Sequence, residues 1–141
     1  MSDGNCMVRA VVDTNVLISA LLQNGIPRKI WLAFKQKKFR LLISPLMFQE
    51  LVLVVARPKF HHVIKEIDRK EAALFIELFA EFIEPKKTIE LSRDPDDNHI
   101  LSCGLEADVI VSGDGDILAL KDSFPVPIMR PREFLTWLES R

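Results

Sequence analysis

The stretch VRAVVDTNVLISALL, residues 8–22, decides the fold. Its first five residues are too β-branched and too few for a helix and read as a short buried strand. From Asn15 onward the apolar residues take up helical spacing, which runs to Gly25, a residue suited to end a helix. Asp13 therefore stands between two segments that both build core. A buried carboxylate is costly unless it is paired, hydrogen-bonded or bound to a metal. The rest of the chain has to supply the reason for it.

The chain has 141 residues, 48% hydrophobic and 28% charged, enough for one domain with a proper core. Its formal net charge is −1, so any nucleic-acid binding must come from a local patch and not from the overall field. Cys6 and Cys103 are too few and too far apart for a disulfide scaffold or a thiolate zinc site, and Cys103 reads as a plain buried thiol. No apolar run approaches the roughly 20 residues of a membrane span, and MSDGNC is no signal peptide. A reducing cytoplasm is the expected setting. Residues 1–6 read as a disordered or irregular lead, with Met7 an alternative start, and 7–141 as a single domain.

Strands and helices alternate along the chain. FRLLIS (39–44), DVIVS (108–112) and VPIMR (126–130) read as further strands. Pro27 suits the first turn of a helix with Ile30, Trp31 and Phe34 on one face. Pro45 opens another through Ala56, and RKEAALFIELFAEFIE (69–84) is the clearest amphipathic helix. Asp94-Pro95 starts one that runs to about Ala107, and Pro131 starts the last. This order predicts an α/β domain, a three-layer α/β/α sandwich with a central, mainly parallel sheet. Functional groups in such sheets collect at the carboxyl ends of the strands. Asp13 lies at one of those ends.

Other acids reach the same edge. Glu50 sits one turn into the helix after the second strand, RDPDDNHIL places Asp94, Asp96 and Asp97 in a first helical turn, and VSGDGDILAL delivers Asp114 and Asp116 after the third strand. Acids converging on one pocket repel unless a divalent cation neutralises them, and hard carboxylate oxygens suit Mg²⁺ or Mn²⁺. Such an ion activates a water and offsets charge developing on a phosphodiester, which is nuclease chemistry. Each acid also has a plainer reading. Asp94 fits a helix N-cap, Asp96 and Asp97 favour the positive end of a helix dipole, and Asp114 and Asp116 flank a glycine turn. Their shared location carries the functional reading.

The segments VVDTNVLISALL, SPLMFQELVLVV and DPDDNHILSCGLEADVIVSGDGDILAL, in that order, resemble the PIN-domain ribonucleases, in particular the bacterial and archaeal toxin branch related to VapC. The resemblance runs from about Met7 to Leu138. It implies a parallel sheet between helices, three or four acids that bind Mg²⁺ or Mn²⁺, and cleavage of single-stranded RNA. On this resemblance the acids are Asp13, Glu50, Asp97 and Asp114, with Asp116 a neighbour that shares or replaces the role of Asp114. Asn15 and Ser112 fall where relatives carry small polar residues near the metal. A toxin role, an antitoxin partner and a homodimer follow from the same likeness.

Two other readings compete. A haloacid-dehalogenase-type phosphatase would use VVDTN, Ser44 and SGDGD, but it expects an aspartate where Asn15 stands and has no role for Glu50. A non-catalytic PIN-like module for RNA or a partner would be expected to lose some of the acids. KQKKFR (35–40), with Lys37, Lys38 and Arg40, could guide an RNA backbone by counterion release, as could Lys86-Lys87; the plainer reading is a solvated helix end. His61 and His62 sit in a loop or short helix without ligand spacing, and His99 follows Asn98 on the site helix but is not expected to bind the metal. Leu74, Phe75, Leu78, Phe79 and Phe82 read as core or as a dimer face.

Overall fold

Five short strands line up in one sheet in the order β3-β2-β1-β4-β5, and every neighbouring pair is parallel. These are β1 (Arg9–Val12), β2 (Arg40–Ile43), β3 (Glu81–Phe82), β4 (Val109–Val111) and β5 (Ile128–Met129). The structure is a computed structural model that describes residues 7–141. The expectation of a disordered lead, and Cys6 with it, lies outside the described residues.

The middle strands are buried on both faces, which is why they read as continuous apolar runs. Val11 faces Leu42 on one side and Ile110 on the other in the ladder, and all three are fully buried. The helices are α1 (Thr14–Leu22), α2 (Ile26–Lys35), α3 (Pro45–Val55), α4 (Glu66–Phe79), α5 (Pro95–Gly104), α6 (Gly115–Leu118) and α7 (Pro131–Glu139). Parallel crossovers are right-handed. The chain moves outward from β1 to β2 and β3, then jumps back to β4 and outward to β5, so α1–α4 cover one face and α5 and α6 the other. The reversal falls between β1 and β4. Crevices open at such a switch point.

An aromatic chain fastens the first layer: Phe34 meets Phe75 edge-on at 5.1 Å, and Phe39 meets Phe134 edge-on at 5.1 Å. Those contacts tie α2 to α4 and the start of β2 to α7.

Several boundaries differ from the sequence reading. The long amphipathic helix starts at Glu66 and stops at Phe79, and Glu81-Phe82 turn into an edge strand on β2. Pairing with β2 and the contact of Arg9 with Glu81 at 2.7 Å overrode a helical period that had not yet run out. The buried face of α4 is Ala72 and Ile76; Leu74, Leu78, Phe79 and Phe82 are exposed and lie outside the core. The first helix ends at Leu22, while Gly25, at φ 133°, takes the cap position ahead of α2. The glycine turn after β4 is itself the start of α6.

Gly104 ends α5 where it meets β4, and a Cβ there would collide with Cδ1 and Cγ1 of fully buried Ile110. Gly104→Ala is expected to cost about 1–3 kcal/mol in urea denaturation, as overpacking does. Adding Ile110→Val should recover part of that loss, because the two changes share one contact. Full additivity would show that the strain lies elsewhere.

Candidate active site at the carboxyl edge

The aspartates at the switch point are placed by helix starts, and Glu50 comes from the body of α3. Asp13 closes β1 and caps α1: its Oδ1 accepts the Asn15 N–H at 3.0 Å, and its own N–H donates to the Val111 carbonyl at 2.8 Å. Asp94 caps α5 by accepting the Asp96 N–H at 2.9 Å, and Asp114 caps α6 by accepting the Asp116 N–H at 2.7 Å. Ser44 caps α3 through the Met47 N–H at 3.1 Å. Strands that end in line and helices that start there deliver the caps to one place. Exposed helix-start N–H groups favour negative charge, so α1 and α5 partly offset the clustering.

These residues enclose a cavity of about 240 Å³. Asp13, Glu50, Asp97 and Asp114 all line it, together with Asn15, and so do Asp94, whose capping role does not remove it from the site, and Asp96. A carboxylate oxygen from each of Asp97, Asp114 and Asp116 lies within 4.8 Å of the other two. Asp97 is buried, Asp114 half-buried and Asp116 exposed. Glu50 is exposed on the cavity wall.

Asp13 is only 3% exposed, and both its oxygens are engaged: Ser112 Oγ donates to Oδ2 at 2.7 Å. The Asp114 N–H in turn donates to Ser112 Oγ at 3.0 Å, which links the ends of β1 and β4 to the start of α6. Burial pushes the Asp13 carboxyl above the usual range; the hydrogen bonds from Ser112 and Asn15 pull the other way, and Asp114 adds to the rise. Burial also raises the Asp97 carboxyl, and the charge of neighbouring Asp114 adds to that rise, against a Ser92 hydrogen bond at 3.2 Å. Ser92 was not legible as a site residue. It sits in the loop ahead of α5, its backbone locked to Asn98 by two bonds of 2.8 Å each. No spacing rule connects it to Asp97.

Lys37, Lys38 and Arg40 do not reach this cavity. They precede or begin β2, at the opposite edge of the sheet, where Lys37 lies over Phe79 at 4.5 Å and Arg40 sits 3.6 Å from Glu81. Cys103 is a buried free thiol whose pKa burial pushes up to about 11.

A parallel α/β sheet with carboxylates gathered at its switch point places a group able to hold a divalent cation where ligands bind in such folds. Residues 9–116 match the PIN domain family, and the chain belongs to it. Membership puts it among nucleases. It is also similar to Uncharacterized protein MJ1680 of Methanocaldococcus jannaschii, at 29% identity over 144 residues covering 94% of this chain and 92% of that protein. The phosphatase reading loses its footing here: Ser44 caps α3 and meets His99 instead of serving as a site hydroxyl. No helix among the described residues is long and apolar enough to cross a membrane.

An acid whose pKa is raised on folding binds its proton more tightly in the native state than in the unfolded chain. Its ionisation therefore takes stability away as pH climbs from the unfolded value through the folded one. In EDTA, wild type should lose stability relative to Asp97→Asn as pH rises from about 4 upward. Urea denaturation at a series of pH values measures this, and a difference independent of pH would show that Asp97 titrates as an ordinary acid.

Proposed function

We propose that the protein is a metal-dependent endoribonuclease that cleaves single-stranded RNA at the acidic cavity, using Mg²⁺ or Mn²⁺. The observation that carries this is the meeting of Asp97, Asp114 and Asp116 oxygens within 4.8 Å, beside buried Asp13. The donor set is all carboxylate, the hard-oxygen chemistry these two ions prefer. Asp97 and Asp114 would hold the ion, with Asp13, Glu50 and Asp116 as further ligands or water-positioning groups. A bound divalent ion supplies a nucleophilic water at neutral pH and offsets charge on the phosphodiester. Ser112, Ser92 and Asn15 fix the carboxylates that face it, and Asn15 and Ser112 line or brace the site without bearing charge. No side chain forms a covalent intermediate in this reading.

Within the family we place the chain in the toxin branch related to VapC, acting in a reducing cytoplasm with an antitoxin protein as its partner. The support is the order of the acid-bearing segments along the chain. We further propose a homodimer. Exposed Leu53, Ile67, Leu74 and Leu78 on α3 and α4 supply an apolar helical surface of the kind a two-fold contact buries.

Labelled single-stranded RNA with Mg²⁺ or Mn²⁺ should be cleaved by wild type and spared in EDTA. Asp97→Asn should lower cleavage by roughly two orders of magnitude, since the ion contributes several kcal/mol to the transition state. Millimolar Mn²⁺ should raise the melting temperature of wild type and do much less for Asp13→Asn, by mass action on the folded state. Cleavage that survives both EDTA and Asp97→Asn would reject the mechanism, and RNA binding without turnover would favour a non-catalytic module.

Light scattering at tens of micromolar is expected to return twice the 16.1 kDa chain mass. A monomer mass would remove the dimer.

A further inference from the structure

The cavity faces a polyanion with six carboxylates and neither lysine nor arginine on its wall. Something in it has to accept a phosphate. Only Asn15 and His99 bring side-chain N–H groups there, and Asn15 is exposed while His99 is half-buried. We propose that His99, held by Ser44, presents its Nδ1–H to a phosphate oxygen of the RNA. This rests on the ribonuclease reading above and names the residue by which that site grips its substrate.

The proton's place follows from the hydrogen bonds. His99 Nε2 lies 2.7 Å from Ser44 Oγ and 3.6 Å from Cys103 Sγ, both on buried residues. Ser44 Oγ accepts the Met47 N–H at 3.1 Å, which leaves its own proton to give to Nε2 in this proposal. An imidazole that accepts at Nε2 carries its hydrogen on Nδ1. Nδ1 has no protein partner among the described residues. The buried side-chain nitrogen left unpaired among them belongs to Arg69, so Nδ1 is reached by solvent, and His99 lines the cavity.

A lysine or arginine on this wall would pair with the carboxylates and compete with a cation for them; an imidazole N–H fixed through Ser44 carries no obligatory charge. With Nδ1 protonated and Nε2 occupied, the ring has no lone pair for a metal. His99 is thus a substrate contact and not a ligand.

Asparagine and glutamine separate the two nitrogens. His99→Asn places an amide N–H near the position of Nδ1, and His99→Gln places one near Nε2. Cleavage of labelled single-stranded RNA with Mg²⁺ should fall roughly ten- to hundredfold in kcat/KM for His99→Gln, chiefly through KM, the cost of a hydrogen bond to a charged group. His99→Asn should recover most of that loss. The Mn²⁺-induced rise in melting temperature should match wild type in both variants. Gln retaining activity where Asn loses it would overturn the proposal in favour of the Ser44 contact, and a lost Mn²⁺ effect would overturn it in favour of a role through Asp97. Equal activity in all three proteins would overturn it while leaving the ribonuclease reading intact. Wild type that cleaves no RNA would overturn both.

Discussion

The hydrogen bond from Ser112 to Asp13, 2.7 Å long and fully buried, joins the carboxyl ends of the two strands between which the sheet reverses direction. Asp13 needs that donor because burial has stripped it of water, and Ser112 is held in turn by the Asp114 N–H. One short chain of donors thus sets the end of β1, the end of β4 and the start of α6. Replacing Ser112 by an apolar residue would leave a buried carboxylate one donor short, a loss that costs more than the bond itself contributes. The position of Asp114 relative to Asp13, and with it the shape of the cavity, depends on this link.

The cavity is also a constraint on stability. Its acids are compensated by hydroxyls, backbone N–H groups and helix starts, not by basic side chains. Glu81, in contrast, sits between Arg9 and Arg40 at the amino edge, where the Arg9 hydrogen bond holds its carboxyl below the usual range. The ionised carboxylate is thus favoured at one edge, on Glu81, and disfavoured at the other, on Asp13 and Asp97. Neutral donors can orient a carboxylate without cancelling its charge. That is the condition a cation site requires.

Much of this was legible in the sequence because β-branched strands announce where their carboxyl ends fall. Asp13 follows VRAVV and Asp114 follows VIVS, so both could be placed at the sheet edge before any contact was known. Asp97 was legible from the Asp-Pro helix start, although only family resemblance singled it out from Asp94 and Asp96. What could not be read depends on residues distant in sequence. The edge strand β3 is two residues long and continues a helical period, so only its pairing with β2 reveals it. Ser92 acts on Asp97 across a loop turn, and Ser44 acts on His99 across 55 positions. Local patterning carries no trace of either.

The net charge of −1 hides how unevenly charge is distributed. Basic side chains at Lys37, Lys38 and Arg40 lie at the amino edge, and the carboxylates crowd the other. Counterion release can draw a nucleic acid to the basic edge, but it cannot bring a phosphate against six carboxylates. Attraction at that range must be made locally, by a cation on the acids and by hydrogen-bond donors beside it. The two demands fit together: a cation binds best where no lysine or arginine has taken its ligands, and an anion can then approach only after the cation is in place. In the proposed ribonuclease the acids that by themselves repel a phosphodiester would be the groups through which the cavity binds one.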